Sequence, residues 1–137
     1  MNGIFDSHAH YDDDAFDADR DGLVRSLASH GVRRVMNVGS SMESSRTGIQ
    51  LGKEYDFLYS SVGVHPDSAR EICDETLREL AELAREPKVR ALGEIGLDYY
   101  WAENPPRDFQ QMVFRKQLAL AEELDLPVIV HDREAHG

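Results

Sequence analysis

A chain of 137 residues, 41% apolar and 30% charged, suits one ordinary domain with a real core and is too hydrophobic for disorder. Its net charge of −11 argues against sequence-independent grip on nucleic acid through a basic face. It leaves a phosphate substrate open, because bound cations can reverse the sign of a local site. No apolar run reaches the ~20 residues of a membrane span, and no basic-then-apolar leader opens the chain. With Cys73 alone there is no internal disulfide, so a cytoplasmic setting without a membrane partner is expected. Cys73 itself reads as a small filler beside a helix.

Short β-branched runs alternate with longer helical patterns. Ile4-Phe5 opens a first strand. A helix is predicted over Asp19 to His30, with Leu23 and Leu27 at helical spacing and Gly31 as its C-cap. Val32 to Val38 is the second strand, closed by Gly39, and Ser41 to Lys53 a helix with Ser/Glu start signals. Phe57 to Val64 is the third strand. Asp74 to Arg85 follows as a helix with Leu77, Leu80, Leu83 and Ala84 on one face. Val89 to Leu92 begins a fourth strand, Asp108 to Leu124 forms a long helix, and Val128 to Val130 is a fifth strand. Pro87 and Pro127 stand just outside the last two strands, where a missing N–H costs little. The acidic run from Asp12 to Asp21 reads as a helix start and a solvated face, with Asp19 or Asp21 favouring the helix N-terminus. His30 and His136 read as solvated.

Regular β-α alternation with short, continuously apolar strands implies a parallel sheet covered by helices. A doubly wound sheet and a (β/α)8 barrel both satisfy that pattern. The groups with chemistry (His8, His10, His65, Glu94 and His131) all fall at predicted C-terminal strand ends, which a barrel gathers around one mouth. The barrel is the better reading. Eight βα units need about 250 residues, so residues 1–137 read as a single domain holding only the first five strands and four helices. Such an arc is expected to leave edge groups and apolar interior side chains in water.

In a strand, residues i and i+2 share a face, so His8 and His10 project together. Two imidazoles can converge on one divalent ion, although HxH alone is equally compatible with one packed and one solvated histidine. Glu94 lies in Gly93-Glu94-Ile95-Gly96-Leu97-Asp98-Tyr99, where the glycines permit close approach and the carboxylate can bridge two cations. His131 follows Pro127-Val128-Ile129-Val130. Three imidazoles and a carboxylate make a mixed N/O site suited to Zn, Mn, Fe or, with more water and carboxylate, Mg. Metal-assisted hydrolysis is the chemistry this set suggests. Asp6 falls on the opposite strand face and reads as a supporting or capping group.

These stretches, with Asp6-Ser7-His8-Ala9-His10, Gly63-Val64-His65-Pro66 and His131-Asp132-Arg133-Glu134-Ala135, resemble the N-terminal half of the TatD-family metal-dependent deoxyribonucleases. The resemblance spans nearly the whole chain, in order and at family-like spacing. It implies a TIM barrel and a divalent metal site in two-ion form (Mg, Mn or Zn), using His8, His10, Glu94 and His131, with Glu94 shared and catalytic. It also implies hydrolysis of phosphodiester bonds in DNA, single-stranded or at ends, with exonuclease character. A further histidine after strand six and an aspartate after strand eight complete the family site and fall beyond Gly137. The resemblance places His65 near the substrate phosphate, though a turn-shaping role fits it equally. Arg133 shares the face of His131 and could grip a phosphate oxygen or pair with nearby carboxylates. Tyr99, Tyr100 and Trp101 could stack a base, but loop packing suits them better. Asp98 is expected to fix the Glu94 loop by hydrogen bonding. Two other readings stand beside the nuclease: an amidohydrolase acting on amides or esters, and a catalytically inactive half-barrel that binds metal or a partner.

Overall fold

The computed structural model describes residues 3–136. Five strands, β1 (Ile4–Ala9), β2 (Val32–Asn37), β3 (Leu58–Val62), β4 (Val89–Asp98) and β5 (Val128–Arg133), form one parallel sheet in sequential order. The connections carry helices α1 (Arg20–Ser26), α2 (Met42–Glu54), α3 (Asp74–Leu83) and α4 (Arg107–Glu123). Sequential order with a helix in every crossover is the topology of a (β/α)8 barrel, here a curled arc of five strands, as the sequence predicts. No helix among the described residues is long and apolar enough to cross a membrane.

Local sequence explains the boundaries. Ser41 caps α2 by accepting the Ser44 N–H at 3.0 Å. α1 is shorter than predicted: it gives way to a 3-10 turn over Leu27–His30 before Gly31 reverses the chain at φ 88°. The reason is local competition. The Ser26 and Ser29 hydroxyls donate to the Leu23 and Ser26 carbonyls, and His30 Nδ1 also lies 2.9 Å from Ser26 O.

One core cluster lies between the sheet and α2, α3 and α4, with Val62, Leu80, Leu92 and Ile95 fully buried. Leu77 and Leu83 of α3 and Phe109, Phe114 and Leu118 of α4 pack against it. Each large aliphatic side chain hidden there contributes roughly 1.5–3 kcal/mol. A second cluster joins Val24 of α1 to Val35, Leu51, Tyr55 and Leu58. The edge strands β1 and β5 leave Ile4, Phe5, Val128 and Val130 exposed, as expected of an arc.

β4 and β5 run further than the sequence suggests, and this relocates two key residues. Glu94 lies within β4 and His131 within β5, not at strand ends. The glycines around Glu94 serve close approach, as their place in the sequence suggests. A Cβ on Gly96 would overlap the His131 carbonyl, and one on Gly63 would meet the Gly93 backbone at 2.8 Å. A register shift between Leu92 and Ile95 against β5 accommodates Glu94 without ending the strand.

Candidate metal centre

His8 and His10 do share a face. Their Nε2 atoms stand 3.2 Å apart, and Glu94 Oε2 lies 3.4 Å from the first and 4.0 Å from the second. Two nitrogens bound to one tetrahedral zinc at about 2.0–2.1 Å would be separated by about 3.3 Å, so the donors are already at ligand spacing. The tautomer also suits a cation. His10 Nδ1 is 2.8 Å from Val38 O, and a carbonyl only accepts, so Nδ1 carries the proton and Nε2 offers its lone pair.

Glu94 is partly buried and faces both ways. Oε2 meets the His8/His10 pair, while Oε1 is 3.2 Å from His131 Nδ1. The opposite nitrogen of His131, Nε2, lies 3.0 Å from Oδ2 of the buried Asp98. His65 packs edge-on against His131, with ring centroids 4.1 Å apart. Donor atoms of His8, His10 and Glu94 lie within 4.8 Å of one another, and so do those of His65, Asp98 and His131. The four residues His8, His10, Glu94 and His131, brought from three strands, thus meet in one place with His65 beside them.

Arg133 is exposed, its guanidinium 5.9 Å from the centre of the Tyr100 ring. It makes no ion pair among the described residues. Tyr100 and Trp101 stack edge to face yet remain half in solvent, and the Tyr99 hydroxyl accepts from Gln111 Nε2 at 2.9 Å. Asp6 accepts the His8 N–H at 3.3 Å, in keeping with a supporting role. His65 pairs with Asp67 at 2.9 Å, and this bond holds the Asp67 carboxyl below the usual carboxylate range.

Residues 5–137 match the family described as TatD related DNase. The chain belongs to that family. It is 39% identical over 132 residues to the uncharacterized metal-dependent hydrolase YabD of Bacillus subtilis, covering 96% of this chain and 51% of that protein. It is 37% identical over 134 residues to the 3′-5′ ssDNA/RNA exonuclease TatD of Cronobacter sakazakii, covering 98% and 51%. The crystal structure of the TatD homolog YJJV from Escherichia coli K12 superposes with a TM-score of 0.88 at 33% identity, over 97% of this chain and 52% of that one. A TatD-family hydrolase from Entamoeba histolytica shares the fold at a TM-score of 0.90 and 23% identity, over 98% and 51%. The chain spans about half the length of the curated relatives it matches.

Within this TatD half-barrel three sequence readings need correction. Asp12 is not part of a solvated face: it accepts from Asn37 Nδ2 at 2.8 Å and Ser44 Oγ at 2.6 Å. Asn37, fully buried at the end of β2, in turn accepts the Tyr11 N–H at 2.7 Å, so the loop after His10 is tied to β2 and α2. Cys73 is exposed at the N-cap of α3, not a packed filler, and its N–H donates to Thr76 Oγ1. Asp98 reaches beyond the Glu94 loop to His131 itself. Two residues drew no notice in the sequence: Gln110 and Gln117 of α4, both fully buried. Their only signal is a pair of amides two turns apart on a helix face that otherwise carries apolar side chains.

Proposed function

We propose that this chain bears the divalent-metal centre of a TatD-type phosphodiesterase that trims DNA from an end. The observation carrying this is the convergence of His8, His10 and His131 on the two oxygens of Glu94 at 3.2–4.0 Å. The family membership and the relatives named metal-dependent hydrolase and 3′-5′ exonuclease support it.

His8 and His10 would hold one ion, His131 a second, with Glu94 spanning both. When bound, such cations supply Lewis-acid polarisation of a phosphoryl oxygen. The protein's own groups do the rest. Val38 O keeps the His10 proton on Nδ1, so Nε2 stays available. His65, paired with Asp67, and Arg133, exposed beside Tyr100, would contact the phosphate. The net charge of −11 opposes a long polyanion, so engagement would be confined to the few phosphates near the cations.

The test uses single-stranded DNA labelled at one end, incubated with the protein and Mn²⁺ or Mg²⁺. Stepwise shortening that stops on chelation is the expected result. Metal binding without any cleavage would instead favour the inactive half-barrel, and hydrolysis of esters or amides but not DNA an amidohydrolase.

A further inference from the structure

Three consecutive carbonyls just past β2 each hold a member of the metal centre or its neighbour. Val38 O lies 2.8 Å from His10 Nδ1, Gly39 O accepts the Glu94 N–H at 2.6 Å, and Ser40 O accepts the His65 N–H at 2.9 Å. Segment 38–40 therefore sets how far His10, next to β1, stands from Glu94 in β4 and from His65 past β3.

One hydroxyl fixes this segment from outside the sheet. Ser44, in the first turn of α2, accepts the Ser40 N–H at 3.1 Å and donates to Asp12 Oδ2 at 2.6 Å. Asp12 stands two residues after His10, and its other oxygen accepts from Asn37 Nδ2 at 2.8 Å. The fully buried Asn37 accepts the Tyr11 N–H at 2.7 Å. Asp12, Asn37 and Ser44 thus join the exit of β1 to the exit of β2. Ser44 must accept one bond and donate another at a single atom, which a hydroxyl does.

We propose that Ser44 is a positioning residue for the metal centre: by bridging Asp12 and Ser40, it holds the segment that spaces His10, Glu94 and His65. This rests on the metal-centre reading above and assigns it a clasp outside the donor set. Without the hydroxyl, the Ser40 N–H and Asp12 Oδ2 each lose a partner, and Ser40 loses its tie to the exit of β1. Glu94 and His65 are carried by Gly39 and Ser40, whereas His8 and His10 come from the other side of the clasp. An error of about 1 Å between the two is enough to loosen a set of ligands.

Thr76 is a matched control. It occupies the same position in α3 as Ser44 does in α2, the third residue of the helix. Its hydroxyl also plays both roles, accepting the Cys73 N–H and donating to Glu71 O, each at 2.8 Å. Removing either hydroxyl should therefore lower the unfolding temperature by a similar amount. Only one of them is tied to segment 38–40.

The experiment compares Ser44→Ala, Ser44→Thr and Thr76→Ala with wild type by amide exchange, followed in ¹H–¹⁵N correlation spectra of the metal-free chain, and by isothermal titration with Mn²⁺. In Ser44→Ala the His65 and Glu94 amides should exchange about 5–10-fold faster, the loss of one hydrogen bond of ordinary strength. Mn²⁺ affinity should fall about 10-fold, the lower end for a partner that orients metal ligands. Ser44→Thr keeps the hydroxyl and should keep both values, and Thr76→Ala should keep them too. The proposal is overturned if Ser44→Ala leaves the two amides unchanged, or loosens them while binding Mn²⁺ as tightly as wild type does. It is equally overturned if Thr76→Ala loosens them as much, or if Ser44→Thr behaves like Ser44→Ala. Should Ser44→Ala fail to fold, Asp12→Ala, which removes the other half of the clasp, decides at the same two amides. If the amides respond as stated but wild type binds no Mn²⁺, the metal-centre reading fails and the clasp stands.

Discussion

His8 and His10 hold their Nε2 atoms 3.2 Å apart, with His10 anchored through Nδ1 to Val38 O. Two lone pairs that close serve one ion, so the two histidines should act as a unit. His8→Ala and His10→Ala are each expected to weaken Mn²⁺ binding, and the double variant to cost little more than either alone. Isothermal titration of the four proteins in a double-mutant cycle measures the coupling; fully additive losses would place the imidazoles on separate ions.

Two glycines should respond to alanine with opposite signs. Gly96 has φ 148°, and a Cβ there would overlap His131 O, so Gly96→Ala is expected to destabilise by about 1–3 kcal/mol. Gly22 is exposed inside α1 with nothing within 4 Å of an added Cβ, so Gly22→Ala should stabilise by about 0.5–1 kcal/mol. Urea denaturation of both variants checks the pair.

Tyr55 gives the fold an alkaline limit. Burial, and then its hydrogen bond to Asp21 at 2.8 Å, push its phenol up to about 12. Unfolded tyrosine titrates near 10. The folded state therefore favours the neutral phenol, and this stabilisation is complete below about pH 10 and lost as pH rises toward 12. Denaturation midpoints should fall across that window, and Tyr55→Phe should flatten the fall.

A site that reaches only a few phosphates should show weak salt dependence. With a non-cleavable single strand and saturating divalent ion, log affinity against log salt is expected to have a slope of about −0.7 per phosphate contacted, hence only about −1 to −2. Fluorescence anisotropy over a salt series measures it. A slope near −5 would mean an extended basic groove, which a chain of net charge −11 is not expected to present.

The sequence carried the alternation of strands and helices because its apolar runs and stop signals are local. It carried the pairing of His8 with His10 because strand period alone puts i and i+2 together. It placed Glu94 and His131 at strand ends because an apolar run marks where a strand begins and not how far it continues: β4 runs on through Gly93 and Gly96 to Asp98, and β5 past Val130 to Arg133. The Asp12–Asn37 contact and the hydrogen bond from the Asp98 N–H to Gln110 were illegible for another reason. Each joins a polar side chain to a partner defined only by the fold, and a buried amide has no spacing rule.

Titration of the wild-type chain and its Glu94→Gln variant with Mn²⁺, followed by calorimetry, bears most directly on the metal centre. Wild type should bind the ion, and the variant should lose more than the roughly 10–100-fold typical of a supporting partner while unfolding at the same temperature. Equal affinity in the two proteins, or none in wild type, would contradict a centre built on Glu94.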